Sequence, residues 1–152
     1  MKGRNELQLA VEIDGKWVVS HFNLKEFENT QGWAMVHSSV VLSLEKLRAE
    51  LSRLIGEEVE ILITSSTRTE EENNRLGKIY GWITEGGVVS KDSKHLDKYG
   101  GVAVDFYVRT KEKRLVVSEE LVANTAVRFF DFVKRGYPDG HIHADNRKLL
   151  NK

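Results

Sequence analysis

The chain has 152 residues, 40% hydrophobic and 30% charged, a composition that suits one folded domain and excludes a disordered chain. Lys plus Arg and Asp plus Glu both number 23, so no net positive charge marks a nucleic-acid partner or a polybasic membrane surface. There is no cysteine, which excludes disulfides and thiolate metal sites and leaves His, Asp and Glu as the available ligands.

The first residues, Met1–Glu6, begin basic but lead into no apolar run, so no signal peptide is visible. No segment approaches the roughly 20 apolar residues of a membrane span, so no membrane insertion is expected. Leu7, Leu9, Val11 and Ile13 then alternate with polar or small residues, which is strand periodicity. Asp14-Gly15 separates this run from Trp17-Val18-Val19, a strong hairpin signal. Residues 1–20 therefore read as a hairpin added in front of the core.

Val40, Val41, Leu44, Leu47, Leu51 and Leu54 recur three or four apart and predict a helix over 40–55, with Ser38 or Ser39 as cap and Gly56 as stop. Val59–Thr64 predicts a buried strand. Thr69 caps a shorter helix over 70–81, whose first turn carries three glutamates in agreement with the helix dipole. Residues 86–101 are polar and glycine-containing and read as loop. Val102–Val108 predicts a strand, Lys111–Arg114 a turn, and Leu115-Val116-Val117 a further apolar run. Ser118 is expected to cap a long helix with Leu121, Val122, Val127, Phe130 and Val133 on its apolar side, closed by Lys134, Arg135 and Gly136. Tyr137-Pro138-Asp139-Gly140 is a turn, and His141–Ala144 a last strand. No repeat or Pro-rich linker interrupts residues 1–152, so a single domain is expected, with Trp17, Trp33 and Trp82 in its core, the alternative being a groove for peptide or glycan.

Three of the five histidines, His95, His141 and His143, lie near Asp105 and Asp145 in sequence. Zinc accepts imidazole nitrogen and carboxylate oxygen, and a catalytic zinc keeps three protein ligands and one open position. His95 precedes a strand, Asp105 lies within it, and His143 lies on another that can pair beside it. In His141-Ile142-His143 both imidazoles point to one face, because side chains in a strand alternate. From the residues alone, a zinc site and a set of surface histidines with ordinary salt bridges both remain open. His21 and His37 stand apart and are expected not to be ligands.

Ser93-Lys94-His95 followed by Gly101-Val102-Ala103-Val104-Asp105 resembles the Ser-x-His…Gly-x-Ala-x-Asp signature of the zinc D-Ala-D-Ala carboxypeptidases. That family includes phage L-alanyl-D-glutamate endolysins and shares its fold with Hedgehog domains. Gly136–Asp145 resembles the segment carrying the last metal ligand, and Ile63–Thr69 the strand end carrying a substrate-binding arginine. Phe22–Phe27 and the helix after Ser39 resemble the lead-in, so the ordered likeness covers roughly residues 20–147.

The resemblance implies an α+β domain, a small antiparallel sheet flanked by helices, and one Zn2+ held by His95, Asp105 and His143. It implies metal-assisted hydrolysis of a peptide bond in the peptidoglycan stem peptide. The interval from His95 to Asp105 is longer than the family's, with extra residues around Leu96–Tyr99. Gly140 stands where many members carry the glutamate general base, so Asp139 is expected as base and His141 as transition-state stabiliser. Arg68 is expected to bind a substrate carboxylate or the oxyanion, the alternative being a structural salt bridge. Ser93 is expected to hydrogen-bond the peptide, the alternative being a turn. Asp145 is either the partner that orients a ligating histidine or a surface acid. A catalytically inactive zinc-binding module of the same fold is the rival implication. The missing signal implies synthesis in the bacterial cytoplasm and action at the cell wall, with a holin-type release partner in a phage setting.

Overall fold

The computed structural model describes residues 7–151; the reading of Met1–Glu6 lies outside them. It is an α+β structure with three helices and two antiparallel sheets. β1 (Gln8–Ile13) and β2 (Lys16–Asn23) form the expected hairpin, with Asp14 and Gly15 both at positive φ, 51° and 78°. That backbone hand matches the strand twist, which is why Asp-Gly is favoured there.

α1 (Ser38–Ile55) buries Val40, Val41, Leu44, Leu47 and Leu51 along one face. Its cap is His37, not a serine: His37 Nδ1 accepts from Ser39 N at 3.1 Å. Gly56 closes it in the left-handed conformation. The hairpin is pinned to α1 by a buried carboxylate, since Glu45 accepts from Ser20 Oγ at 2.8 Å and His21 N at 2.6 Å. His21 faces Glu45 and His37 caps α1, and neither belongs to the group His95, Asp105, His143.

The main sheet contains β3 (Val59–Ser65), β4 (Ala103–Thr110), β5 (Phe132–Lys134) and β6 (Ile142–Asp145), in the order β3-β4-β6-β5 with every pair antiparallel. Side-chain alternation divides it into two faces. Val104, Phe106 and Val108 of β4 and Ile142 and Ala144 of β6 are buried in the core. Asp105 and His143 point the other way and stand opposite each other in the register. A β-bulge between Ile63 and Ser65 sets Ser65 against Asp105.

α2 (Glu70–Tyr80) follows its Thr69 cap as predicted, the hydroxyl accepting from Glu72 N. α3 (Glu119–Ala126) starts at Ser118 but corrects the expected long helix: it ends at Ala126, and Phe132–Lys134 form an edge strand on β6. Four residues of β6 would otherwise face solvent with unpaired backbone, and the aromatic and β-branched residues there suit a strand. Val127, expected on the apolar face, is exposed accordingly. Leu115 and Val116 are also exposed and form only an isolated bridge, Arg109 with Val116.

The tryptophan expectation is corrected as well. Trp17 is 74% exposed on the hairpin, and Trp33 and Trp82 are half-buried. Trp82 lies flat over Gly77 of α2, where any Cβ would fall 2.2 Å from the ring.

Gly100 and Gly101 both have positive φ, 77° and 79°, but only Gly101 is sterically enclosed, its would-be Cβ 2.8 Å from Val36 Cα. Gly101 leads into β4 and accepts His37 N at 2.9 Å, so it joins the lead-in to the sheet. Gly100→Ala is therefore expected to cost about 1 kcal/mol of backbone strain and Gly101→Ala about 3 kcal/mol, because backbone must move as well. Urea denaturation of the two variants measures the difference; equal losses would remove the steric argument.

Candidate metal centre

The register that opposes Asp105 to His143 supplies two members of a buried cluster, and the loop before β4 supplies the third. His95 Nε2 lies 3.0 Å from Asp105 Oδ1 and 3.1 Å from His143 Nδ1, and His143 Nδ1 lies 3.0 Å from the same Asp105 oxygen. All three residues are buried. The longer His95–Asp105 interval does not displace His95. Arg68 N donates to His95 O and Asp97 N to Arg68 O, so the chain around Leu96 docks on the end of β3. The extra residues form a short 3-10 turn at Asp97–Tyr99, away from the cluster.

The outer partners fix which nitrogen each imidazole presents. His95 Nδ1 faces the Ser66 carbonyl at 2.5 Å, and a carbonyl only accepts, so Nδ1 carries the proton. His143 Nε2 faces Asp145 Oδ2 at 2.7 Å. Asp145 is fully buried, and Arg147 grips it with Nε at 2.8 Å and Nη2 at 2.7 Å. Burial opposes the charge on Asp145, but Arg147 and His143 bring its pKa down to about 2, so it also only accepts. This settles the two readings of Asp145 in favour of the partner that orients a histidine.

Neutral His95 and His143 therefore turn bare nitrogens toward Asp105. Burial foremost pushes His95 below its ordinary pKa, which keeps Nε2 free at neutral pH. Burial opposes the charge on Asp105, yet His95 and His143 hold its carboxyl far below the usual range. Two imidazole lone pairs and a carboxylate oxygen meeting at about 3 Å repel one another unless something positive sits among them. The triad His95, Asp105 and His143 could hold a metal ion. In tetrahedral zinc, donor atoms bonded at about 2.05 Å lie about 3.3 Å apart, close to the separations seen here. Without a metal a proton on His143 Nδ1 serves instead. Burial lowers the His143 pKa, but the bonds to Asp105 and Asp145 outweigh it and leave the pKa raised.

Arg68, Ser93 and His141 gather at the same place. Arg68 Nη2 is 3.7 Å from Asp105 Oδ2, and its Nη1 donates to Asn73 Oδ1 at 3.1 Å. Its Nε is buried without a hydrogen-bond partner among the described residues. Ser93 Oγ accepts from His95 N at 3.2 Å and from Arg68 Nη1 at 3.5 Å, so it shapes the turn that delivers His95. His141 Nε2 lies 3.6 Å from Asp105 Oδ2, and its Nδ1 lies 2.5 Å from Asp139 Oδ1. Asp139 sits at the rim with a side chain 61% exposed. A cleft of about 880 Å³ opens over the cluster between α2 and the Phe132–Tyr137 segment.

Sequence reasoning did not single out four participants. The Ser66 carbonyl has no side-chain signature. Asn73 is buried under Arg68, Arg147 anchors Asp145, and Tyr137 stacks on His141 with ring centroids 3.9 Å apart. Asx and aromatic residues are common at helix starts and turns, so none of these carried a signal of its own.

Among family models, curated proteins and solved structures, none matches the chain. The class that fold and geometry define is an α+β protein with a buried two-histidine, one-carboxylate cluster able to hold a metal ion.

Proton and metal compete for His143 Nδ1, which fixes the sign of two pH effects. In metal-free protein the raised His143 pKa contributes stability that is complete below the unfolded value of about 6.5 and is lost as pH rises through the folded value. With zinc the order reverses, because only deprotonated imidazole ligates. Between about pH 6 and about pH 8 the metal-free melting temperature is expected to fall, and the increment from stoichiometric zinc to grow. His143→Ala is expected to abolish the increment; an undiminished one would remove the triad as the binding site. Asp145→Asn keeps the triad but loses the carboxylate behind His143, and is expected to weaken zinc binding about 10- to 100-fold by isothermal titration.

Proposed function

We propose that this protein is a zinc-dependent peptidase of the D-Ala-D-Ala carboxypeptidase and endolysin type, with the Hedgehog-like peptidase fold, hydrolysing a bond of the peptidoglycan stem peptide. The observation that carries the reading is the convergence of His95 Nε2, Asp105 Oδ1 and His143 Nδ1, with His141 and Arg68 beside them at an open cleft. The donor set is nitrogen, nitrogen and oxygen without thiolate, which suits zinc. Zinc held there would polarise the scissile carbonyl and acidify a water.

The chain's own residues then divide the remaining work. We assign the general base to His141, expected from sequence as transition-state stabiliser, rather than to Asp139. Burial works against the charge on Asp139, but His141 outweighs it and lowers its pKa, which makes it a weaker base. Asp139 instead holds His141 Nδ1–H and leaves Nε2 bare toward the cluster. Water oxygen adds to the carbonyl carbon, and its proton passes to His141 Nε2. The carbonyl pair becomes an oxyanion beside the Arg68 guanidinium. Collapse breaks the C–N bond, and the proton on His141 goes to the departing amine nitrogen. Ser93 maintains the His95 turn and lines the cleft for the peptide.

One observation favours the rival reading, a zinc-binding module without turnover. Gly140 replaces the glutamate of many relatives by resemblance, and its φ of +81° disfavours any side chain there. The two readings part on activity. Zinc-loaded protein is expected to release fragments from purified muropeptides, and a chelator to stop it. His141→Ala should lower kcat at least about 100-fold with zinc content unchanged, and Asp139→Asn by less. Zinc binding without any cleavage would favour the inactive module. A holin-type partner and release from the cytoplasm to the wall belong to the same proposal.

A further inference from the structure

The geometry points to Tyr137 as a further catalytic residue, whose phenolic hydroxyl donates a hydrogen bond to the substrate carbonyl oxygen as it becomes the oxyanion. This inference rests on the peptidase reading above. Tyr137 lines the cleft, half-buried, beside His141. Its ring contacts two cationic or polar neighbours. One is the His141 imidazole, stacked at 3.9 Å and 17°, and the other is Lys134 Nζ, 5.2 Å from the ring centroid. A side chain held this way loses little freedom when it binds a ligand, which is what a preorganised donor requires.

The four tyrosines differ in how their hydroxyls are used. Tyr107 donates to Asp139 O at 3.1 Å, and Tyr99 donates to Asp92. Tyr80 lies exposed at the far side of the cleft. The Tyr137 hydroxyl has no protein partner among the described residues, although it stands within electrostatic reach of Asp105 and Arg68. A half-buried phenol next to a charged centre with no partner is an unspent donor. Burial, with Asp105, pushes its pKa up to about 12, so the hydroxyl keeps its proton throughout the working range. It gives no proton away in the reaction; the water proton still travels through His141 to the amine. Its contribution is a second donor, in addition to Arg68, at the oxygen where negative charge grows.

Tyr137→Phe separates the hydroxyl from the ring, because phenylalanine preserves the stack on His141. The substrate is an uncrosslinked pentapeptide muropeptide, with every amide bond followed by mass spectrometry. The variant is expected to keep its zinc stoichiometry and melting temperature, to lose about 100-fold in kcat, and to change KM by less than about threefold. A phosphinate isostere of the bond that the wild type cleaves mimics the oxyanion, and its affinity should fall at least about tenfold while that of the product peptide stays constant. A variant with wild-type kcat and phosphinate affinity overturns the assignment and leaves the peptidase reading standing. A wild type that binds zinc but cleaves no bond overturns both.

Discussion

Three acceptor atoms lie within 3.1 Å of one another where almost no solvent reaches, and the rest of the domain is arranged around that repulsion. A buried carboxylate left alone would take up a proton, and two buried imidazoles left alone would turn their N–H groups inward. Both escapes are blocked from outside. The Ser66 carbonyl claims the His95 Nδ1 proton, and Asp145 claims the His143 Nε2 proton. What remains inside is a concentration of lone pairs that a cation satisfies and that a proton on His143 satisfies less completely.

The sheet provides that arrangement through its two-residue period. Even-numbered residues of β4 and β6 build the hydrophobic core, with Phe106 and Val104 completely buried. Odd-numbered residues, Asp105 and His143, are thereby fixed on the opposite face and opposite each other. Slipping the register by one residue would exchange core and centre along the whole strand, so packing energy and ligand geometry select the same pairing. Asp145 follows His143 by two residues and shares its face, which is how a four-residue strand carries both a candidate ligand and its support. Arg147 completes the set by placing its guanidinium 3.7 Å from the Phe132 ring while gripping Asp145. The edge strand β5 is therefore part of the support, since Phe132 stands against Asp145 in the register.

Much of this was legible in the sequence where a pattern was long or a residue type was rare. The alternation through β1, the heptad-like spacing of α1, the Thr69 cap and the Asp14-Gly15 turn all appear where composition places them. His95, Asp105 and His143 were legible as a set only through the motifs that carry the resemblance; the absence of cysteine by itself limited the ligand types and left the site open. Short elements were not legible. Val133 fits a helical face as well as it fits a strand edge, and only the unpaired side of β6 decides between them. Trp17, expected in the core, is exposed because the hairpin is two-stranded and has only one covered face. Partners that act through backbone, such as Ser66, leave no trace in side-chain chemistry.

Gly140 and His141 belong to one structural unit. Gly140 N donates to Tyr137 O at 3.0 Å, closing the Tyr137–Gly140 turn, and the turn needs φ of +81° at its last residue. A glutamate at that position would have to adopt the left-handed backbone, at a cost of about 1–2 kcal/mol, or open the turn. Opening it would separate Tyr137 from His141 and release Asp139 from His141 N, which it holds at 3.2 Å. The turn thus disfavours a side chain at 140 and delivers an imidazole one residue later, stacked on one side and hydrogen-bonded at the rim. In the proposed reading this makes the base part of a rigid stack instead of a flexible side chain. In that reading proton transfer and oxyanion binding also depend on one short segment, Tyr137–His141.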